Sequence, residues 1–173
     1  MALTPATARR NDPLLNHNFL ISLLDSSSTL VQPGAVSPAA ILEATVGGFS
    51  ECSGLEMTMQ VEEYKEGGNN SRVLKFPGRI AWSNITLKKG IGTSTALWDW
   101  YYDFVEGRGR RRDGIIMLLD ELRRPNIIWR FYSGLPTKYT GPALNAKENN
   151  VAIEALEIAH EGISQLPPQV SVR

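Results

Sequence analysis

Over most of its length the chain alternates apolar and polar positions with a period of two, the pattern of strands that cover one face. From Leu55 the alternation is clean: Leu55, Met57, Met59 and Val61 fall on one side and Glu56, Thr58, Gln60 and Glu62 on the other, which predicts one long half-buried strand. Upstream, residues 17–24 (HNFLISLL) predict a strand, and residues 25–44, in which Ser, Pro, Gly and Ala abound, predict a long surface excursion. Downstream, residues 72–76 predict a returning strand, Pro77-Gly78 a turn or bend, and Ile80, Trp82, Ile85 and Leu87 a further extended run. Residues 115–119 (IIMLL) are apolar without alternation, as expected of a strand covered on both faces. Residues 126–132 (NIIWRFY) predict another strand, ended by Gly134 and Pro136.

One segment has a clear helical period. Across residues 94–106, Leu97, Trp98, Tyr101, Tyr102 and Val105 recur at helical spacing, Asp99, Asp103 and Glu106 lie off that stripe, and Gly107 suits the position that ends a helix. Residues 151–161 (VAIEALEIAHE) support two readings. Their composition and the spacing of Ala152, Ala155, Leu156 and Ala159 suit a helix. Val151 and Ile153, then Leu156 and Ile158, instead alternate as in a strand with a one-residue phase slip, the mark of a β-bulge.

The glycine-rich stretch at 64–79, YKEGGNNSRVLKFPGR, could cradle a phosphate or turn a hairpin. A phosphate loop needs a helix N-terminus after it, and here a strand pattern follows. Gly67, Gly68, Asn69 and Asn70 supply the positive φ of a hairpin tip, between an outgoing arm with Tyr64, Glu62, Glu63 and Glu66 and a returning arm with Arg72, Lys75 and Arg79. Opposite charges across such a pair contribute roughly 0.2 to 1 kcal/mol each. A two-stranded ribbon is poorly stable alone, so it is expected to lie on something else, such as a neighbouring copy.

Composition narrows the function. At 173 residues the chain suits one domain, and 18 basic against 18 acidic residues leave no net charge to concentrate nucleic acid or an anionic membrane. The single cysteine, Cys52, excludes an internal disulfide and reads as a small core residue rather than a nucleophile. Neither a signal-peptide core in MALTPATARRND nor an apolar run near the roughly 18 residues of a membrane span is evident. Cytoplasmic synthesis and assembly, without membrane insertion by the subunit, are expected. Two Asn-x-Ser/Thr matches, at Asn69 and Asn84, are chance sequons on that reading.

The usual enzymatic constellations are missing from the sequence, and nothing in it calls for a cofactor or metal. His17 and His160 have no evident nucleophile or orienting partner, and a structural role is the simpler reading. A hydrolase using His160 with Glu157 or Glu161 is the weakest alternative. The run at 107–114 (GRGRRRDG) carries Arg108, Arg110, Arg111 and Arg112 and could engage phosphates as a nucleic-acid-binding β-domain. The plainer reading is a solvated loop, whose arginines could also pair with carboxylates across a subunit boundary.

Several segments in order resemble a known family: Asn11-Asp12-Pro13 with Phe19 after it, GGFSECSGLEM at 47–57, YKEGGNNSRVLKFPGRI at 64–80, NITLKKGI at 84–91, LWDWY at 97–101 and GPALNAKENNVAIEALEIAHEGI at 141–163. The chain resembles the tail-tube proteins of contractile phages, and most of all the inner-tube subunits of extracellular contractile injection systems. The resemblance implies a mainly β fold of two packed antiparallel sheets, barrel-like, with one flanking helix and a long protruding hairpin. It further implies an N-terminal arm over 1–16 and a single tail-tube domain over 1–173. Hexameric rings would stack into a hollow tube, the hairpin reaching adjacent subunits or the next ring. Sheath, baseplate, spike and tube terminator are the implied partners, and protein effectors, or DNA in a phage, the implied lumen cargo. By this resemblance 151–161 is a strand with a bulge, and the excursion at 25–44 is longer than in many relatives.

Overall fold

The structure, a computed structural model, describes residues 13–25, 48–67 and 72–166. The expected excursion beyond residue 25, most of the N-terminal arm and the hairpin tip at 68–71 lie outside them. Among the described residues nine strands and one helix follow in order: β1 (Phe19–Asp25), β2 (Glu51–Ser53), β3 (Met57–Tyr64), β4 (Leu74–Trp82), β5 (Ile85–Gly90), α1 (Ala96–Val105), β6 (Arg112–Leu119), β7 (Pro125–Thr140), β8 (Ile153–Ala159) and β9 (Gly162–Leu166). All strand pairs are antiparallel.

Two layers share the long strand β7. Its first half runs between β6 and β9, with β1 beyond β6, and its second half pairs with β8, followed by β5 and β2. The main core lies where these layers meet. Ile21 of β1, Ile116 of β6, Phe131 of β7, Ile85 and Leu87 of β5, and Leu156 and Ile158 of β8 close on one another together with Leu97 and Trp100 of α1. Residues 115–119 are covered on both faces as expected, because Ile115, Met117 and Leu119 join a second cluster on the far side of β6.

The sequence places the end of this strand at Gly134 and Pro136, but β7 continues through both to Thr140. Gly134 is a packing site and not a terminator. A Cβ there would stand 2.7 Å from both the Arg112 carbonyl oxygen and the Phe131 ring, and a Cβ on Gly114 would stand 2.0 Å from that ring. These two glycines make room for Phe131, which is fully buried. The transfer of β7 between layers happens at Ser133, an extra residue relative to β6 with φ of 52°. Asp113 pins it: its carboxylate accepts the Ser133 N–H at 3.0 Å and Arg130 Nη2 at 2.8 Å. Pro136 is tolerated because the second half of β7 has β8 as its sole neighbour among the described residues.

Residues 151–161 do form a strand, β8, but the expected phase slip within it is absent. Its pairing with β5 is regular, and Glu154, Leu156 and Ile158 share the buried face. The irregularity sits opposite, at Thr137 of β7. A carboxylate takes the inward position that the apolar pattern leaves empty. Glu154 is held by Lys89 Nζ at 3.3 Å and by the Tyr139 hydroxyl at 2.7 Å, with Lys89 also donating to the Ser94 carbonyl.

In α1 the inward stripe is Leu97, Trp100, Tyr101 and Phe104, rotated from the expected one. Trp98, Tyr102 and Val105 are exposed instead, with Trp98 stacked on Tyr102 and edge-on to Tyr139. Two in-phase aromatics, Trp100 and Phe104, set the inward face because each has a specific seat. Gly107 does end the helix: at φ 75° its N–H reaches the Phe104 carbonyl while Arg108 N–H reaches that of Asp103, a Schellman pair.

The Lys89–Glu154 pair gives a direct test of the core. Glu154→Ala leaves a buried ammonium unpaired and is expected to lower unfolding stability by about 3–5 kcal/mol. The Lys89→Met/Glu154→Leu double variant is expected to recover most of that loss in urea unfolding. Equal destabilisation by both variants would contradict this role.

Candidate assembly surface

The strands β3 and β4 form a ribbon that belongs to neither layer and, among the described residues, packs substantially against no other element. It continues the β2–β5 pair. Ser53 faces Thr86 and Met57 faces Trp82, four residues further along on both strands, so the register carries across the joint. At the joint Gly54 adopts φ of 88°, and a Cβ there would stand 2.0 Å from the Asn84 carbonyl oxygen. Glycine alone fits that crossing. The root is closed by a Ser83 N–H bond to the Glu56 carbonyl, by His160 Nε2 against the Ser83 carbonyl at 3.0 Å, and by Trp82 tilted against the His160 ring.

Halfway along, Gly78 and Arg79 both oppose Gln60, so the expected bend at Pro77-Gly78 is a bulge inside a continuous strand. Gly78 is again a close approach, 2.9 Å from a built Cβ to the Gln60 carbonyl oxygen.

The alternation read from the sequence is present in β3, but its apolar face is not half-buried. Met57 is 70% exposed, Met59 50%, Val61 55% and Ile80 54%. Among the described residues, beyond the contacts at its root, nothing covers that face. Among the predicted interface residues, Glu62 and Tyr64 lie in β3, Lys75 and Arg79 in β4, and Glu66, Gly67 and Arg72 just beyond the strands, all exposed. Gly68, Asn69 and Asn70 fall outside the described residues. Lys75 meets Glu63 across the ribbon at 3.9 Å, the expected cross-strand pair.

The arginine run folds back on α1. Arg108 pairs with Asp103 at 2.9 Å and with Glu106, Arg111 with Glu161 at 2.7 Å, and the Arg112 guanidinium lies 5.4 Å from the Trp100 ring centre. The Arg110 carbonyl accepts the Trp100 indole N–H, and Gly109 sits where a Cβ would strike the Phe104 ring. Helix and protein carboxylates thus engage Arg108 and Arg111, which weakens the phosphate-binding alternative. His17 is exposed ahead of β1, whereas His160 sits at the ribbon root. Glu157 accepts from Asn84 and Glu161 from Arg111, so neither orients the imidazole.

Sequence reasoning missed Trp82, His160 and Gly54 as the ribbon's anchor. The glycine carried a signal: a lone Gly between two strand patterns marks a close backbone approach.

Among the described residues the ribbon leaves both outer edges open and an apolar face uncovered. The family model described as T4-like virus tail tube protein gp19 matches residues 16–164, and the chain belongs to that family. No curated protein matches it. In solved structures the fold is similar to a chain of the anti-feeding prophage baseplate, with 24% identity over 92% of this chain and 99% of that one and a TM-score of 0.73. It is also similar to a chain of the extended sheath–tube complex of the extracellular contractile injection system PVC, with 21% identity, 96% and 99% coverage and a TM-score of 0.74. A chain in the tube-terminating cap of the anti-feeding prophage aligns at 22% identity over 96% of this chain and 99% of that one, with a TM-score of 0.75. No helix among the described residues is long and apolar enough to cross a membrane.

Cys52 packs against the main core, and burial, with the Glu51 carboxylate beside it, pushes its thiol up to about 12. At pH 8 only on the order of one thiol in ten thousand is then ionised, so disulfide-exchange labelling of the native chain is expected to run far below its rate in urea. Labelling at equal rates would place Cys52 outside the core.

Proposed function

We propose that this chain is the inner-tube subunit of a contractile, phage-tail-like injection system. Six copies close into a ring, rings stack into a hollow tube, and contraction of a surrounding sheath drives the tube with its spike through a target envelope. The observation that carries this reading is the β3–β4 ribbon, whose outer edges and apolar face have no partner among the described residues. Membership of the tail tube family, and likeness to chains from baseplate, sheath–tube and cap assemblies, support it. Sheath, baseplate, spike and terminator proteins are its partners, the lumen carries protein effectors, and assembly takes place in the cytoplasm before any release. The subunit acts mechanically and not as an enzyme. The match to a T4-like virus family also favours a second reading, the tube of a contractile-tailed phage passing DNA.

Electron microscopy of the purified chain, alone or with its baseplate, is expected to show rings about one subunit thick and tubes built from them. Deleting residues 67–71 is expected to leave the thermal unfolding of the chain intact and to stop polymerisation. Normal tubes from the shortened chain would remove the hairpin from the assembly role.

A further inference from the structure

Sulfur is placed unevenly in this chain. Of its four methionines, Met57, Met59 and Met117 are among the described residues, and they divide sharply by burial. Met117 is fully enclosed in the second core cluster, beside Leu24, Ile115, Leu119 and Ile128. Met57 and Met59 stand exposed on β3, two residues apart. In an antiparallel pair, residues directly opposite one another project from the same face, so Met57 with Trp82, Met59 with Ile80, and Val61 with Pro77 share the apolar face near the root. At the usual strand rise the two methionines leave the backbone about 7 Å apart. Their thioethers form one open patch.

Cys52, the single thiol, is a poor competitor for an oxidant, because it packs against the main core and its pKa, pushed up to about 12 by burial and the Glu51 carboxylate, leaves little of the thiolate that peroxides attack. A thioether needs no deprotonation. It reacts wherever an oxidant reaches its lone pair. Strand propensity does not call for methionine at either place, since an extended segment is best served by β-branched and aromatic side chains such as Val61, Ile80 and Trp82 on this same face.

With hydrogen peroxide the step is complete in itself. The sulfur lone pair attacks one peroxide oxygen, the S–O bond forms as the O–O bond breaks, and the departing oxygen takes up the proton and leaves as water. Sulfur loses two electrons and the peroxide gains them. The product is polar: its sulfoxide oxygen is a strong acceptor, and an apolar contact offers it no donor. Neither methionine belongs to a core cluster, so the body keeps its packing.

Resting on the tube reading, we propose that Met57 and Met59 are a reversible oxidation site that gates assembly. A free chain with sulfoxide on this face is withheld from tubes. A thiol-dependent methionine sulfoxide reductase returns it, oxidising two thiols to a disulfide and releasing the oxygen as water.

The test treats the free full-length chain with hydrogen peroxide and reads its methionine peptides by mass spectrometry. Met57 and Met59 are expected to gain oxygen at least about tenfold faster than Met117, with the thermal unfolding of the chain unchanged. By electron microscopy, the oxidised chain is expected to need a concentration at least about tenfold higher to form tubes, the effect of roughly 1.4 kcal/mol, and reductase with dithiothreitol is expected to restore the parent value. Met57→Leu/Met59→Leu is expected to assemble like the parent and to ignore peroxide, whereas Met57→Gln/Met59→Gln behaves as the oxidised chain does without any oxidant. Oxidation of Met117 as fast as the other two overturns the site. Tubes from oxidised chain at the parent concentration, or peroxide-sensitive assembly of the leucine variant, overturn the gate. An untreated parent chain that makes no tubes even with its baseplate overturns the tube reading and the gate with it, whatever the oxidation rates.

Discussion

A backbone N–H or C=O at a sheet edge has to find a partner or water, and this constraint governs the molecule. The ribbon carries two such edges side by side, each paired inward and, among the described residues, open outward. Its side chains repeat the situation on a larger scale. Four root positions remain half or more exposed on one face, although each is a residue type that gains about 1.5–3 kcal/mol from full burial. A chain arranged this way leaves part of its stabilisation to be collected on contact with others. A closed ring satisfies it, because the last copy covers the edge the first one presents.

The body holds that ribbon in place. Its rigid points are close backbone approaches that only glycine permits: Gly54 at the joint, Gly114 and Gly134 around Phe131, Gly78 at the bulge. Two buried ion pairs among the described residues serve registers. Asp113 with Arg130 fixes the place where β7 leaves one layer for the other, and Lys89 with Glu154 fixes β5 against β8, the pair that continues outward into the ribbon. Replacing either pair by apolar residues would cost little energy, so their value lies in specifying one alignment of strands. An arm that must meet a neighbour in a defined register needs its base held in this way.

Much of this was legible in the sequence, and the misses have physical causes. Apolar patterning located most of the strands though not the short β2 and β9, Gly and Asn located the hairpin, and Gly107 located the helix end, since each of these signals is local. Glu154 broke the strand pattern because a buried carboxylate with a distant lysine looks like a surface residue to any local rule. Gly134 and Pro136 read as a stop, because a glycine that accommodates Phe131 is indistinguishable in sequence from one that turns the chain. The helix stripe was misplaced by one step, since Trp and Tyr occupy both faces and only the seats of Trp100 and Phe104 decide. Most informative is Met57 to Val61, whose pattern was right and whose burial was not: the sequence encodes a covered face, and no described residue covers it.

Hydrogen exchange of the ribbon amides in dissociated chain and in assembled tube tests this most directly. The account predicts that amides of β3 and β4 exchange quickly in the free chain, at rates well above those of β6 and β7, and become protected on assembly to the level of the body. Ribbon amides already protected in the free chain, or still unprotected in the tube, would contradict it.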